Sequence, residues 1–128
     1  MNLVNTKTGA VVVEQLELAD TWWTRFKGLQ FRRDFPREHG LLIVPCGSIH
    51  TCWLRWPITV VALDKHGKVL DIRRGVRPWR VVFLPRETHA TLELSCSAEV
   101  SLDQDDRLLA GDVAPEECRP SIAFVQEP

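Results

Sequence analysis

This chain of 128 residues has no CxxC pair, no apolar run long enough to cross a membrane and no excess of either charge. Each absence removes a class of protein. Cys46, Cys52, Cys96 and Cys118 match no standard zinc spacing, and no fourth ligand stands beside Cys46, His50 and Cys52. Neither a metal nor a cofactor is expected. Met1 to Thr8 contains no long apolar stretch, so no secretory signal is read there. The chain is therefore expected to be cytoplasmic, with its thiols free and buried as small hydrophobes. A membrane-spanning helix needs about 18 apolar residues in succession, and none is present. Sixteen Lys and Arg against 17 Asp and Glu give a net charge of -1, which does not point to nucleic acid. GxSxG, HExxH and phosphate-binding glycine loops are absent too, and Ser48 near His50 lacks a third triad member. No local motif supports catalysis.

What is present is an ordinary globular composition, 45% apolar and 26% charged. The length suits one domain over residues 1–128 with one core, and no repeat, linker or low-complexity segment interrupts it. Leu3 to Asn5 and Ala10 to Leu16 read as strands around a Thr6 to Gly9 turn. Thr21 to Leu29 reads as a helix capped by Asp20, with Trp22, Phe26 and Leu29 on one apolar face and Gly28 at its end. Phe31 to Gly40 is a loop, and Leu41 to Val44 a buried strand. His50 to Leu54 suggests another strand, and Ile58 to Leu63 is the strongest one. Asp64 to Gly67 turns the chain back into Lys68 to Ile72. Arg73 to Pro78 is basic and irregular, and Arg80 to Leu84 is apolar. Thr88 to Ser95 alternates as a strand with one buried face does. Glu99 to Leu109 includes a candidate short helix, Gly111 to Val113 a tight turn, and Ile122 to Val125 a last strand. Asp103, Asp105 and Asp106 read as solvated surface, as does the Arg73 to Arg80 cluster. The fold expected is mainly β, a small barrel or sandwich of short antiparallel strands with one helix near residues 21–29.

The most distinctive stretch is Ser48-Ile49-His50-Thr51, then Leu54-Arg55-Trp56-Pro57-Ile58, then Val60 to Asp64 and Gly67. Arg25 with Gly28-Leu29 precedes it, as does Gly40-Leu41-Leu42; Arg77-Pro78-Trp79-Arg80, Leu92-Glu93-Leu94 and Gly111-Asp112 follow. In this order the elements resemble the bacterial and archaeal family called domain of unknown function 192, over about residues 11–114. The resemblance implies a compact, mostly β domain with a short helix and no established reaction. Three positions depart from the family pattern. Thr59 stands where Asp is common, Ser97 where Gly is usual, and Gln30 where Met or Leu is usual. The missing Asp removes an acid that could have paired with Arg55 or served as a base.

The candidate ligand-binding residues are Arg25, His50, Trp53, Arg55, Arg77, Trp79 and Glu93. Arginines supply charge-assisted hydrogen bonds, and tryptophans supply a stacking face. If residues 50–55 were extended, His50, Cys52 and Leu54 would share one side, and Thr51, Trp53 and Arg55 the other. By alternation with Leu92 and Leu94, Glu93 would face water or a cleft. For His50 and Arg55 themselves the favoured reading is structural: His50 a core histidine bonded to backbone, and Arg55 a strut pairing Glu93 or another acid. Core or half-buried packing is expected for Trp56, and Trp79 is expected to be exposed. The leading expectation is a non-catalytic binding or accessory module for a small anionic or polyhydroxylated ligand. A hydrolase or isomerase using His50 and Glu93 as acid and base is a second reading. A subunit docking a protein partner through the Arg73 to Arg80 loop is a third.

Overall fold

The computed structural model describes residues 2–96, 101–111 and 120–126. In chain order the strands are β1 (Leu3–Asn5), β2 (Val11–Val13), β3 (Gln15–Ala19), β4 (His39–Ile43), β5 (Ser48–His50), β6 (Ile58–Leu63), β7 (Val69–Val76), β8 (Val81–Phe83), β9 (Ala90–Ser95) and β10 (Leu108–Ala110). One α-helix, α1 (Trp22–Lys27), and a 3-10 helix, Pro120–Val125, complete the elements. Five strands form a central mixed sheet in the order β3-β4-β9-β6-β7. β3 and β4 are parallel, and α1 lies in the crossover between them. The other pairs of that sheet are antiparallel. A second sheet runs β10-β1-β2, and β5 pairs with β8 in a two-stranded ribbon.

The mainly β expectation stands, but the described strands do not close into a barrel. The central sheet is instead covered on both faces. Side chains alternate across a strand, so β4 sends Leu42 to one core and Leu41 and Ile43 to the other. β6 splits in the same way, with Val61 and Leu63 against Ile58 and Val60. The first core is closed by Leu3, Val13 and Leu108 of the second sheet and by Ile122 and Val125 of the 3-10 helix. The second is closed by Ile49 and Val82 of the ribbon, with Leu29, Phe35 and Leu54 from the loops. Each fully buried leucine or valine contributes about 1.5–3 kcal/mol of transfer free energy. Gly40 is needed between the sheets: a Cβ there would sit 2.9 Å from Val13 and 3.1 Å from Leu94.

Several local expectations are corrected. Thr21, not Asp20, caps α1: its hydroxyl accepts from the Thr24 amide, and the Thr24 hydroxyl accepts from the Thr21 amide. The Trp22/Phe26 face does not pack inward, because the helix has no buried residue and only Leu29 beyond it reaches a core. Residues 50–54 are not a strand. β5 ends at His50, and Trp53 takes a left-handed φ of 68°. The Ala10 to Leu16 segment breaks at Glu14, where the Glu14 and Gln15 amides both donate to the Glu38 carbonyl. β7 continues to Val76, so most of the supposed irregular Arg73 to Pro78 loop is strand. β9 is buried on both faces rather than one. Ile122 to Val125 is helical, and no helix forms within residues 101–109.

Asp106 is buried as well, although it belongs to the acidic run expected on the surface. Its carboxylate accepts from the Asp103 amide at 2.9 Å and from Asn5 Nδ2 at 2.9 Å. These bonds, the Asp103 amide foremost, hold its carboxyl below the usual range. They also tie β1 to the turn that enters β10. Of the cysteines, Cys46 and Cys52 are half-buried and Cys96 is exposed, against the expectation of buried thiols. Cys118, Ser97 and Asp112 lie outside the described residues.

Candidate functional site

A cavity of about 170 Å³ lies against the second core. One wall is the end of α1 and the residues after it, Arg25 through Gln30. The opposite wall is β5, Ser48 to His50, with Leu54. The remaining lining comes from Ile43, Cys46 and Glu93.

Glu93 sits in the middle of β9, paired to Leu41 of β4 and Val60 of β6. Its side chain therefore stands on the sheet face carrying the second core. It is only 4% exposed, and its Oε2 has no hydrogen-bond partner within the described residues. Burial in this setting raises its pKa to about 8, and the nearby Arg32 charge pulls the other way more weakly. At neutral pH Glu93 is thus a neutral acid that can donate an O–H. Alternation placed it on the correct face, but that face is covered, so Glu93 does not meet bulk water. The cation acting on it is Arg32, not the Arg55 of the strut reading. Arg32 itself is held by Glu17 through two bonds of 2.8 and 2.9 Å, which lower the Glu17 pKa.

His50 is exposed at the end of β5. Its Nε2 lies 3.3 Å from Gln30 Nε2, and the same Gln30 amide donates to the Phe26 carbonyl at 2.8 Å. An amide nitrogen only donates, so this contact requires His50 Nε2 to accept. His50 is a wall residue of the cavity, not a core histidine. Half-buried Arg25 leans across α1 with long contacts of 3.4 Å to the carbonyls of Thr21 and Pro45. These use a minority of its five donors. Cys46 Sγ donates to the Ser48 carbonyl at 3.1 Å. Among the described residues, no three His, Cys, Asp or Glu side chains gather as metal ligands.

Of the seven candidates, Arg25, His50 and Glu93 line this cavity. Trp53, Arg55, Arg77 and Trp79 do not; all four are exposed. Trp53 and Trp79 meet edge to face at 4.7 Å, and Phe31 stacks on Trp53 at 5.4 Å. Buried Thr51 joins the two loops that carry these tryptophans. Its hydroxyl donates to the Arg77 carbonyl at 2.6 Å and accepts from the Arg80 amide at 2.9 Å. Its carbonyl accepts from the Trp79 amide at 3.1 Å. Trp79 is exposed and Trp56 half-buried against Phe35, as expected. Gln30, Lys27 and Cys46 were not foreseen. A signal existed for Gln30: it is a polar residue where the family pattern has an apolar one.

The family model described as Uncharacterized ACR, the domain of unknown function 192, matches residues 3–108. A UPF0127 protein of Thermococcus sibiricus is 33% identical over 84 residues, covering 61% of this chain and 53% of that protein. A UPF0127 protein of Pyrococcus furiosus is 29% identical over 83 residues, covering 61% of this chain and 69% of that protein. The chain thus spans about half the length of the first of these relatives. Among solved structures, a Novosphingobium aromaticivorans protein of unknown function superimposes with a TM-score of 0.75 at 22% identity, over 84% of this chain and 83% of that one. A Sinorhizobium meliloti protein, presented as a candidate transcription regulator, gives 0.70 at 22% identity, over 84% and 88%. At such identities the structures establish the shared fold. Among the described residues no helix is long and apolar enough to cross a membrane.

Proposed function

The chain belongs to the uncharacterised family of the domain of unknown function 192, and from that premise we propose that it is a binding module for a small anionic, polyhydroxylated ligand. The observation that carries this reading is Glu93. A buried carboxyl with an unpartnered oxygen is costly unless something meets it. Here it lines a cavity whose rim carries Arg25 and Lys27. The neutral acid donates to a hydroxyl or carboxylate oxygen, and the rim cations neutralise the ligand's charge. His50 and Gln30 add polar contacts on the walls.

The test is an NMR titration with glucuronate, which is both anionic and polyhydroxylated, beside glucose and acetate. Glucuronate is expected to shift the amide signals of Gly28, Gln30, Cys46 and Glu93 the most. Arg25→Ala should weaken binding by about tenfold, the scale of one charge-assisted bond. Binding should also weaken above about pH 8, where Glu93 ionises and repels the anion, and Glu93→Gln should remove that dependence. Shifts confined to other parts of the chain would reject the cavity as the site.

One observation favours the catalytic reading as well. His50 and Glu93 line one cavity, and burial raises the acid to about 8, the direction a general acid needs. Turnover of chromogenic esters or glycosides, lost in both His50→Ala and Glu93→Gln, would favour an enzyme. Binding without turnover favours the module.

A further inference from the structure

We infer that the surface around the cavity mouth docks onto a lipid bilayer carrying anionic headgroups. The first observation is where the exposed apolar side chains lie. On α1, Trp22, Trp23 and Phe26 are 73%, 60% and 59% exposed. The loops add Phe31, Trp53 and Trp79, and β8 adds Val81 and Phe83. Among the described residues only Val11 is a large exposed hydrophobe outside this group.

The second observation is that these side chains are neighbours. Phe26 lines the cavity with Ser48 and His50. Those two residues pair with Phe83 and Val81, and cross-strand partners project to the same side. Gln30 bridges Phe26 to His50, and Phe31, next in the chain, begins the stack with Trp53 and Trp79. A contiguous apolar surface of this kind on a folded protein marks an interaction site.

The third observation supplies the partner's charge. Residues 22–32, 48–56 and 77–83 contain six Arg or Lys and no Asp or Glu, although the chain has 17 acids. Arg32 is taken up by Glu17, which leaves Arg25, Lys27, Arg55, Arg77 and Arg80 toward the partner. Within these three segments of a near-neutral chain, cations alone accompany the aromatic side chains. Aromatic rings mixed with basic side chains are the composition that settles at the boundary of headgroups and acyl chains. The surface is also held in shape: Phe31, Trp53 and Trp79 have φ of 65°, 68° and 65°, a costly backbone for aromatic residues.

A single-stranded nucleic acid would also meet cations and aromatics, but it stacks its bases on open ring faces. Here Trp53 presents one face to Phe31 and receives the approach of Trp79, and Trp22 and Trp23 each stack on Phe26. Val81 and Phe83 add exposed apolar bulk with no ring pairing of their own. That suits insertion rather than base stacking.

Vesicle flotation tests the inference with the full chain. Vesicles of phosphatidylcholine with about 30% phosphatidylglycerol should capture the protein at low salt and shift its tryptophan fluorescence to the blue. Capture should fall about tenfold or more on pure phosphatidylcholine, or in about 0.5 M salt. The triple variant Trp22→Ser, Trp23→Ser, Phe26→Ser, which replaces no buried residue, should fold normally and lose capture by a similar factor. Lys65→Gln removes an exposed cation elsewhere and should bind like the parent. Glu93→Gln should also bind vesicles unchanged, which separates this surface from the ligand of the cavity. The inference is overturned by no capture on anionic vesicles at low salt, by a triple variant that binds like the parent, or by capture of oligothymidylate without capture of vesicles.

Discussion

The two faces of the central sheet are built from the same strands and serve opposite ends. On the face carrying Leu42, Val61, Leu92 and Leu94 each of these side chains is no more than 1% exposed, and the buried polar residue there is Thr59, paired with Leu94. The face carrying Leu41, Val60 and Glu93 has a carboxyl at its centre, a cavity against it, and exposed aromatic side chains around the mouth. One face spends its residues on cohesion. The other places the Glu93 carboxyl and the Thr91 hydroxyl among its apolar residues, and Glu93 lines the cavity. A family's function is best sought on the face where packing is least complete.

The comparison is tested hardest on the apolar face. Leu92→Ala should cost about 2–5 kcal/mol, because the two sheets cannot collapse into the space left. Urea denaturation would show it as a lower midpoint at constant slope.

On the opposite face Glu93 makes stability depend on pH. Its folded pKa, about 8, lies above the unfolded value near 4.5. The folded state therefore holds the proton more tightly, and its advantage is complete below about pH 4.5. Stability should fall as pH rises from there through about 8 and then level off, by a few kcal/mol in all. Glu93→Gln should flatten that profile in denaturation curves taken between those limits. A Glu93 variant with the parent's slope would assign the pH dependence to other groups.

Thr51→Val should cost about 1–3 kcal/mol, since the Arg80 amide and Arg77 carbonyl lose their shared partner. Trp53 fluorescence should change with it, although neither tryptophan is altered. The smallest effect belongs to the aromatic surface itself. Trp23→Ser, on a helix with no buried residue, should leave thermal stability within about 0.5 kcal/mol of the parent. A large loss there would mean that α1 packs more firmly than its exposure indicates.

Much of this arrangement was legible in the residues. Leu41 to Val44 is a continuous apolar run and Ile58 to Leu63 is broken only by Thr59, the near-continuous pattern of strands buried on both faces. The Asp64 to Gly67 turn fixed the β6–β7 hairpin. Glu93 was legible by parity but not by environment, because alternation cannot tell a solvated face from one roofed by another layer. The spacing of Trp22, Phe26 and Leu29 satisfied a helix–core template, yet the helix ends at Lys27 and only Leu29 turns inward. Residues 50–54 were misread because Trp53 adopts a backbone normally left to glycine, and nothing in its neighbours announces that. That turn carries Trp53 and Arg55 away from the cavity that His50 lines.

Thr51 has one more consequence. Two segments almost thirty positions apart in the chain share a single hydroxyl as their common reference point. Neither loop can lengthen, shorten or tilt without moving the other's tryptophan. Substitutions in residues 77–80 and 51–54 are therefore expected to be non-additive in their effects on stability. A change tolerated in one loop alone would be rare, and paired changes, or exchange of both loops together, would be the route by which this surface diversifies.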